Sequence, residues 1–211
     1  MSSRYISDKK FNGYDLKHPK SKGRYVYVKY YLYRLQKIME KSLELHRRVS
    51  VFRFDLRLPE KFDKEDSEVI TRFFKSLSSK IFVDVEKKKG KWNRTLYNKL
   101  LYVWAKEKNN SEQYHYHVAL LLNGDIYNKF GDYNADKENL SSIIKQAWNS
   151  AIKEEHEGLV EFCRNGVYYL NRNSPDIEIQ KNRLFERVCY LAKAKTKVYG
   201  YGMRNFGASR C

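Results

Sequence analysis

The sequence has few cysteines and no long apolar run. Its three cysteines, Cys163, Cys189 and Cys211, are far apart and odd in number, which argues against a disulfide framework, and no CxxC or HExxH motif occurs. The longest apolar run, residues 118–122, is far too short to cross a membrane, and the first ten residues lack the apolar stretch of a signal peptide. No Walker-type phosphate loop is present, which argues against a built-in helicase or ATPase. We therefore expect a soluble protein of the reducing cytoplasm.

Positive charge, in contrast, is abundant and unevenly distributed. The formal net charge is +17, of which residues 1–48 contribute +9 and residues 181–211 contribute +7, so the middle is almost neutral. Two basic ends around a near-neutral centre indicate a polyanionic partner. Nucleic acid fits better than a membrane surface, because tyrosines and turn residues interrupt the basic stretches and no clean amphipathic helix carries them.

The apolar pattern predicts a basic, loosely ordered N-terminal arm over residues 1–23 and a single domain over residues 24–211. Helical spacing and capping residues predict four helices. They are expected from Val28 to about Arg47, from an Asp63 N-cap through Leu77, over about 140–151 with Gly158 at the end, and from Ser174-Pro175 onwards. Strands are expected over residues 51–58, 81–85, 100–107 and 113–122, and as a hairpin around Arg164-Asn-Gly166. We interpret this order as an α+β two-layer sandwich, an antiparallel central sheet with packed helices.

Two histidines lie one residue apart in a predicted strand. Residues 113–122 alternate, so His115 and His117 point to one face and apolar residues, including Tyr116, point to the other. Two imidazoles on one face form half of a metal site. Hydrogen-bonded or surface histidines are the alternative interpretation.

A third ligand is expected across a hairpin. If the turn is centred on Ser111, Glu107 lies opposite His115, with Cβ atoms about 5 Å apart. A slip of one residue would turn this carboxylate to the other face, and Asp55 and Glu112 are then the alternative ligands. Two imidazoles and a carboxylate suit Mg²⁺ and Mn²⁺ as well as zinc.

A tyrosine lies in the basic stripe of the last predicted helix. Advancing 100° per residue places Lys193 beside Tyr190, together with Arg183, Arg187 and Lys197, which can grip DNA phosphates. Phenol, with a pKa near 10, is a poor nucleophile at neutral pH, and neighbouring cations or a metal favour the phenolate. Tyr190 is therefore a candidate nucleophile. A surface tyrosine on a DNA-binding helix is the alternative.

In order along the chain, His115-Tyr-His117 and Tyr190-Leu-Ala-Lys193 resemble the HUH endonucleases, which combine a His-hydrophobic-His metal strand with a YxxK helix. Tyr116 departs from the pattern, because the central residue is usually aliphatic. Over residues 25–210 the chain is more specifically similar to the filamentous-phage (inovirus) replication initiators, which include YagK-like and YfjJ-like prophage proteins. The segments that carry this similarity are Arg53-Phe-Asp-Leu-Arg57, residues 190–197 and the terminal Arg204-Asn-Phe-Gly-Ala-Ser-Arg210.

The resemblance implies an HUH fold and metal-dependent nicking and joining of single-stranded origin DNA to initiate rolling-circle replication. His115, His117 and Glu107 would hold Mg²⁺ or Mn²⁺, and Tyr190, assisted by Lys193, would form a 5′-phosphotyrosine. The expected DNA contacts are Arg53, Arg57, Arg183, Arg187, Lys197 and Arg204.

Such an initiator would act in the cytoplasm of a bacterial host and borrow a host helicase. Tyr199 or Tyr201 is a candidate second nucleophile. Two alternatives remain. One is a sequence-specific DNA-binding regulator that is not an enzyme and whose histidines are structural, and the other is an HUH transposase or relaxase with a different DNA partner.

Overall fold

A five-stranded antiparallel sheet forms the centre of the molecule. The computed structural model describes residues 3–19, 24–63, 66–108, 114–133, 138–195, 197 and 204–210. The sheet strands are β5 (Arg48–Arg57), β6 (Leu101–Glu107), β7 (His115–Asn123), β8 (Val160–Asn171) and β9 (Phe206–Ala208), in the order β8, β5, β7, β6, β9. Two short pairs precede them: β1 (Tyr5–Ile6) with β4 (Tyr27–Val28), and β2 (Lys10–Phe11) with β3 (Tyr14–Asp15). The helices are α1 (Lys29–Leu45), α2 (Val69–Trp92), α3 (Leu140–Ile152) and α4 (Ile177–Val188), and a 3₁₀ turn, Cys189–Ala192, follows α4.

The predicted α+β class with a central antiparallel sheet is confirmed, and helices pack on both faces of the sheet. Alternate residues such as Phe54 and Val118 share one core with α2 and α3. The intervening positions on the same strands, such as Val51 and Leu121, point to the other face and share a second core with α1 and α4. None of the described helices has both the length and the apolar composition needed to cross a membrane.

Helix α2 is longer than the sequence pattern predicted. The expected strand at residues 81–85 and the basic segment after it are helical, and the helix begins at Val69, six residues after the predicted Asp63 N-cap. Ile81 and Val85, four residues apart, continue the buried helix stripe, while Phe82 and Val83 between them are exposed. A short apolar run reads equally well as strand or helix, and the four-residue spacing decides it here.

The predicted hairpin at Arg164-Asn-Gly166 is instead an irregularity within the single strand β8. Its pairing with β5 shifts between Phe52 and Phe54, and Asn165 has a positive φ of 53°. A Cβ on Gly166 would lie 2.7 Å from the Arg53 carbonyl oxygen, so only glycine allows the two backbones to approach this closely. These residues therefore add a bulge to β8 relative to β5 and do not reverse the direction of the chain.

Part of the predicted N-terminal arm packs against the rest of the domain. The Tyr14 ring stacks on Phe185 of α4 at 4.7 Å, and the backbone N–H of Asp15 donates to Asn182 Oδ1 at 2.7 Å. Leu16 is buried in the same core. These contacts attach the N-terminal segment to α4.

Candidate active site

Three strands bring polar side chains together at one end of the sheet. The predicted hairpin register is confirmed, because Glu107 pairs with His115 and Ala105 pairs with His117. On the other side of β7, Asp55 pairs with His117. Period-two alternation therefore places these groups on the face that carries the α1 and α4 core, beyond its apolar part.

Glu107, His115 and His117 form a cluster that could hold a metal ion. Their ligand atoms all lie within 4.8 Å of one another, with 3.2 Å between the two Nε2 atoms and 3.6 Å from His117 Nε2 to Glu107 Oε2. Ligands about 2.1 Å from one ion lie roughly 3.0–3.5 Å apart in octahedral or tetrahedral arrangements. The 3.2 Å separation lies within this range and the 3.6 Å separation lies just above it, so a small inward shift of these side chains would let them share a cation.

Asp55 lies beside the cluster and orients one of its imidazoles. His117 Nδ1 is 2.6 Å from Asp55 Oδ1, which leaves Nε2 directed at His115 and Glu107. Aspartate–histidine pairs of this kind fix the ring orientation of metal-binding histidines. Burial acts to lower the pKa of His117, but hydrogen bonds to Asp55 and Glu107 raise it above its ordinary value. Metal binding therefore competes with protonation of this ring.

Tyr190 and Lys193 lie next to the cluster, but neither is part of the α-helix α4. Helix α4 ends at Val188, and both residues belong to the following 3₁₀ turn and its C-cap. Residues three apart eclipse in 3₁₀ geometry, and Lys193 Nζ donates to Tyr190 Oη at 2.7 Å. The Tyr190 ring meets His117 edge to face, with 5.6 Å between ring centroids. The predicted helical stripe was wrong, but the tyrosine–lysine contact exists.

Two lysines neutralise Glu107. Lys197 Nζ lies 2.6 Å from Oε1, and Lys193 Nζ lies 3.8 Å from Oε2. Burial lowers the pKa of Lys197, and the Glu107 carboxylate opposes this effect. Lys197 was predicted to grip DNA phosphates, but it is buried and ion-paired. Ninety residues separate the pair, and no sequence pattern signals such a contact.

A family model described as the YagK/YfjJ C-terminal domain matches residues 7–209. The chain belongs to this family. It is 35% identical over 197 residues to uncharacterized protein YagK of Escherichia coli (strain K12), an alignment that covers 88% of this chain and 94% of YagK. It is 33% identical over 198 residues to uncharacterized protein YfjJ of the same strain, covering 87% and 95% of the two chains. No solved structure matches.

The other predicted DNA contacts of this YagK/YfjJ domain differ in exposure and in ion pairing. Arg53 is buried, with a guanidinium nitrogen 3.8 Å from Asp55 Oδ1. Arg57 is exposed and ion-paired with Glu161. Arg183 is exposed on α4, Arg187 is half-buried there, and Arg204 is exposed beside the sheet edge. The remaining candidates, Glu112, Tyr199 and Tyr201, lie outside the described residues.

The sequence pattern gave no indication of Tyr25. Its ring lies 6.0 Å from that of Tyr190, edge to face, and Lys193 Nζ lies 5.5 Å from its centroid. Tyr25 precedes β4 and comes from the far end of the chain, where tyrosines are frequent. In the YagK/YfjJ domain it forms a second aromatic wall around Lys193.

Proposed function

We propose that this domain is a site-specific, metal-dependent enzyme that nicks and joins single-stranded DNA, of the HUH endonuclease type, and initiates rolling-circle replication through a 5′-phosphotyrosine. The observation that carries the proposal is the contact of Tyr190 with two groups. Lys193 donates a hydrogen bond to the Tyr190 hydroxyl, and His117, one of the three candidate metal ligands, packs edge to face against the Tyr190 ring. A nucleophile, a cation and a ligand set within one site suit phosphoryl transfer.

Glu107, His115 and His117 would hold Mg²⁺ or Mn²⁺. A bound divalent ion polarises a phosphoryl oxygen and orients the strand. The protein contributes a buried carboxylate and two imidazoles, of which His115 has a pKa lowered by burial and by the neighbouring His117. Its ring is therefore neutral and available as a ligand at neutral pH.

Tyr190 Oη would attack the scissile phosphorus. The phenol gives up its proton to solvent, the bond from Oη to phosphorus forms and the bond from phosphorus to the 3′ oxygen breaks. The departing 3′ oxygen takes up a proton from solvent and becomes a 3′-hydroxyl. Lys193 Nζ, 2.7 Å from Oη, stabilises negative charge on the phenolate before attack. The covalent link keeps the phosphoester available, so a 3′-hydroxyl can later rejoin it and close a circle.

The proposed partners follow from charge and from a missing motif. The basic ends of the chain suit origin DNA, and without a Walker loop the protein would depend on a host helicase in the bacterial cytoplasm. A transposase or relaxase of the same chemistry would differ only in its DNA partner.

The test uses labelled single-stranded fragments that tile the DNA on both sides of the gene, because the origin sequence is unknown. Each strand is incubated with the protein and Mn²⁺, and in parallel with EDTA. We expect one strand to give a slowly migrating protein–DNA adduct on a denaturing gel, in Mn²⁺ only. If no fragment gives an adduct, nicking is excluded for this DNA.

A DNA-binding regulator remains a second candidate, because the cluster is also satisfied without a metal. Asp55 binds His117 Nδ1, the two Nε2 atoms face each other, and Lys197 pairs with Glu107. Such a regulator would bind DNA equally well in EDTA and form no covalent product.

A further inference from the structure

A cavity of about 470 Å³ opens between α2 and the β6–β9 edge of the sheet. Its walls include Tyr102 and Trp104, whose side chains point to the face opposite Glu107. Tyr102 and Glu107 are five residues apart on β6, so about 17 Å of strand separates them. The cavity is thus distinct from the cluster described above.

Three cations line this cavity. Lys75 comes from α2, and Arg204 and Arg210 flank β9. Within the described part of the chain none of the three has an ion-pair partner, and no carboxylate lines the cavity. Burial raises the pKa of the Tyr102 hydroxyl, and Arg204 and Arg210 both oppose that shift, which agrees with their positions beside it. Three positive charges around one concave site, without an ion-pair partner among the described residues, attract an anion.

The aromatic walls indicate which part of a nucleic acid fits. One face of Tyr102 is covered by Phe74, whose ring stacks on it at 3.6 Å and 10°. Trp104 is covered by the β9 backbone, since a Cβ on Gly207 would lie 2.5 Å from its indole. Stacking on a base requires an open ring face, and Trp104, which is 4% exposed, offers none, so at most the second face of Tyr102 is open. The cavity therefore favours a phosphate, which arginine binds in bidentate fashion, over a base.

We propose that Lys75, Arg204 and Arg210 bind a backbone phosphate of the DNA strand at a point away from the Tyr190 site. Because the cavity and Tyr190 lie on opposite faces of the sheet, the bound DNA strand would pass around the short β9 edge. This inference rests on the proposed function, because the proposed ligand of the cavity is DNA.

The test measures the salt dependence of DNA affinity, without Mn²⁺, so that no cleavage contributes. Random-sequence duplex and single-stranded oligonucleotides are suitable probes, because phosphate contacts do not depend on sequence. Each lost phosphate contact reduces the slope of log K against log salt by about 0.7–0.9. We expect the triple variant Lys75→Gln/Arg204→Gln/Arg210→Gln to reduce the slope by this amount, each single variant to reduce it by a smaller amount, and Arg210→Lys to retain the wild-type slope.

Lys129→Gln, which removes an exposed lysine on the loop after β7, is the matched control for loss of one charge. Unchanged thermal unfolding of each variant shows that the fold is kept. Slopes of the triple and single cavity variants equal to that of Lys129→Gln overturn the proposal, even if the wild-type protein forms an adduct. Reduced slopes support it even if no adduct ever forms, so the failure of one proposal is distinguishable from the failure of the other.

Discussion

Lys197 Nζ lies 2.6 Å from Glu107 Oε1, and neither side chain is exposed to solvent. Desolvating two charges is costly, but leaving one of them unpaired in the interior costs more. The lysine thus holds one carboxylate oxygen, while the other oxygen faces His117 at 3.6 Å. The ion pair with Lys197 therefore orients the Glu107 carboxylate toward His117.

Removing this lysine is expected to destabilise the fold. Lys197→Met leaves the buried carboxylate without its closest cation and should lower the free energy of unfolding by about 3–5 kcal/mol in metal-free protein. Urea denaturation measures this loss. The double variant Glu107→Gln/Lys197→Met should lose less than Lys197→Met alone. A loss no larger than that of Lys195→Met, at an exposed neighbouring position, would contradict the prediction.

Metal binding is expected to depend on the cluster and on Asp55. His115→Ala removes a ligand and should abolish most Mn²⁺ affinity, whereas Asp55→Asn keeps every ligand and should cost about 10–100-fold, because the partner of His117 Nδ1 is weakened. Electron paramagnetic resonance of free Mn²⁺ during a titration measures both effects. His156→Ala, which removes an exposed histidine, is the control. Equal affinity in all four proteins would exclude the cluster as the binding site.

The stability of the fold is expected to fall with acid partly through His46. This residue is buried at the C-cap of α1, and burial lowers the pKa of its imidazole. Below about pH 6.5 the His46 imidazole takes up a proton in the unfolded chain more readily than in the folded chain. The contribution of neutral His46 to the free energy of unfolding is therefore present above that pH and is lost as the pH falls. Wild type should therefore lose more unfolding free energy than His46→Gln between about pH 7.5 and 5.

Urea denaturation at the two pH values measures the difference. His156→Gln, the loss of an exposed imidazole, is the control and should follow the wild type. Parallel pH dependence of wild type and His46→Gln would mean that His46 titrates alike in the folded and unfolded chains.

The parts of the site that lie on adjacent strands could be predicted from the sequence. Side chains alternate along a strand and a short hairpin fixes its partner, so Glu107 and His115 were placed correctly opposite each other. Contacts made by the end of the chain could not. Lys197 reaches Glu107 across 90 residues, and nothing local distinguishes a lysine that grips phosphate from one that neutralises a buried carboxylate.

The secondary structure near the candidate nucleophile shows the same limit. The periodic apolar stripe of α4 suggested that the helix continues, but the chain tightens into a 3₁₀ turn at Cys189. Tyr190 and Lys193 meet either way, because spacing of three residues brings side chains together in both conformations. That contact was predictable, but the approach of the Tyr190 ring to His117 required the tertiary fold.

The identity of the nucleophile can be decided between two neighbouring tyrosines. Tyr190 and Tyr25 lie 6.0 Å apart around the same lysine, but only Tyr190 accepts a hydrogen bond from Lys193 and meets the His117 ring. Tyr190→Phe should therefore abolish the Mn²⁺-dependent adduct on denaturing gels and leave the affinity for the same single strand within about 2-fold, since the lost hydroxyl is a small part of a contact dominated by phosphates. Tyr25→Phe removes an equivalent hydroxyl and should retain the adduct. The reverse pattern, an adduct that persists in Tyr190→Phe and disappears in Tyr25→Phe, would reassign the attack to Tyr25. It would also make the hydrogen bond from Lys193 a structural feature of the 3₁₀ turn.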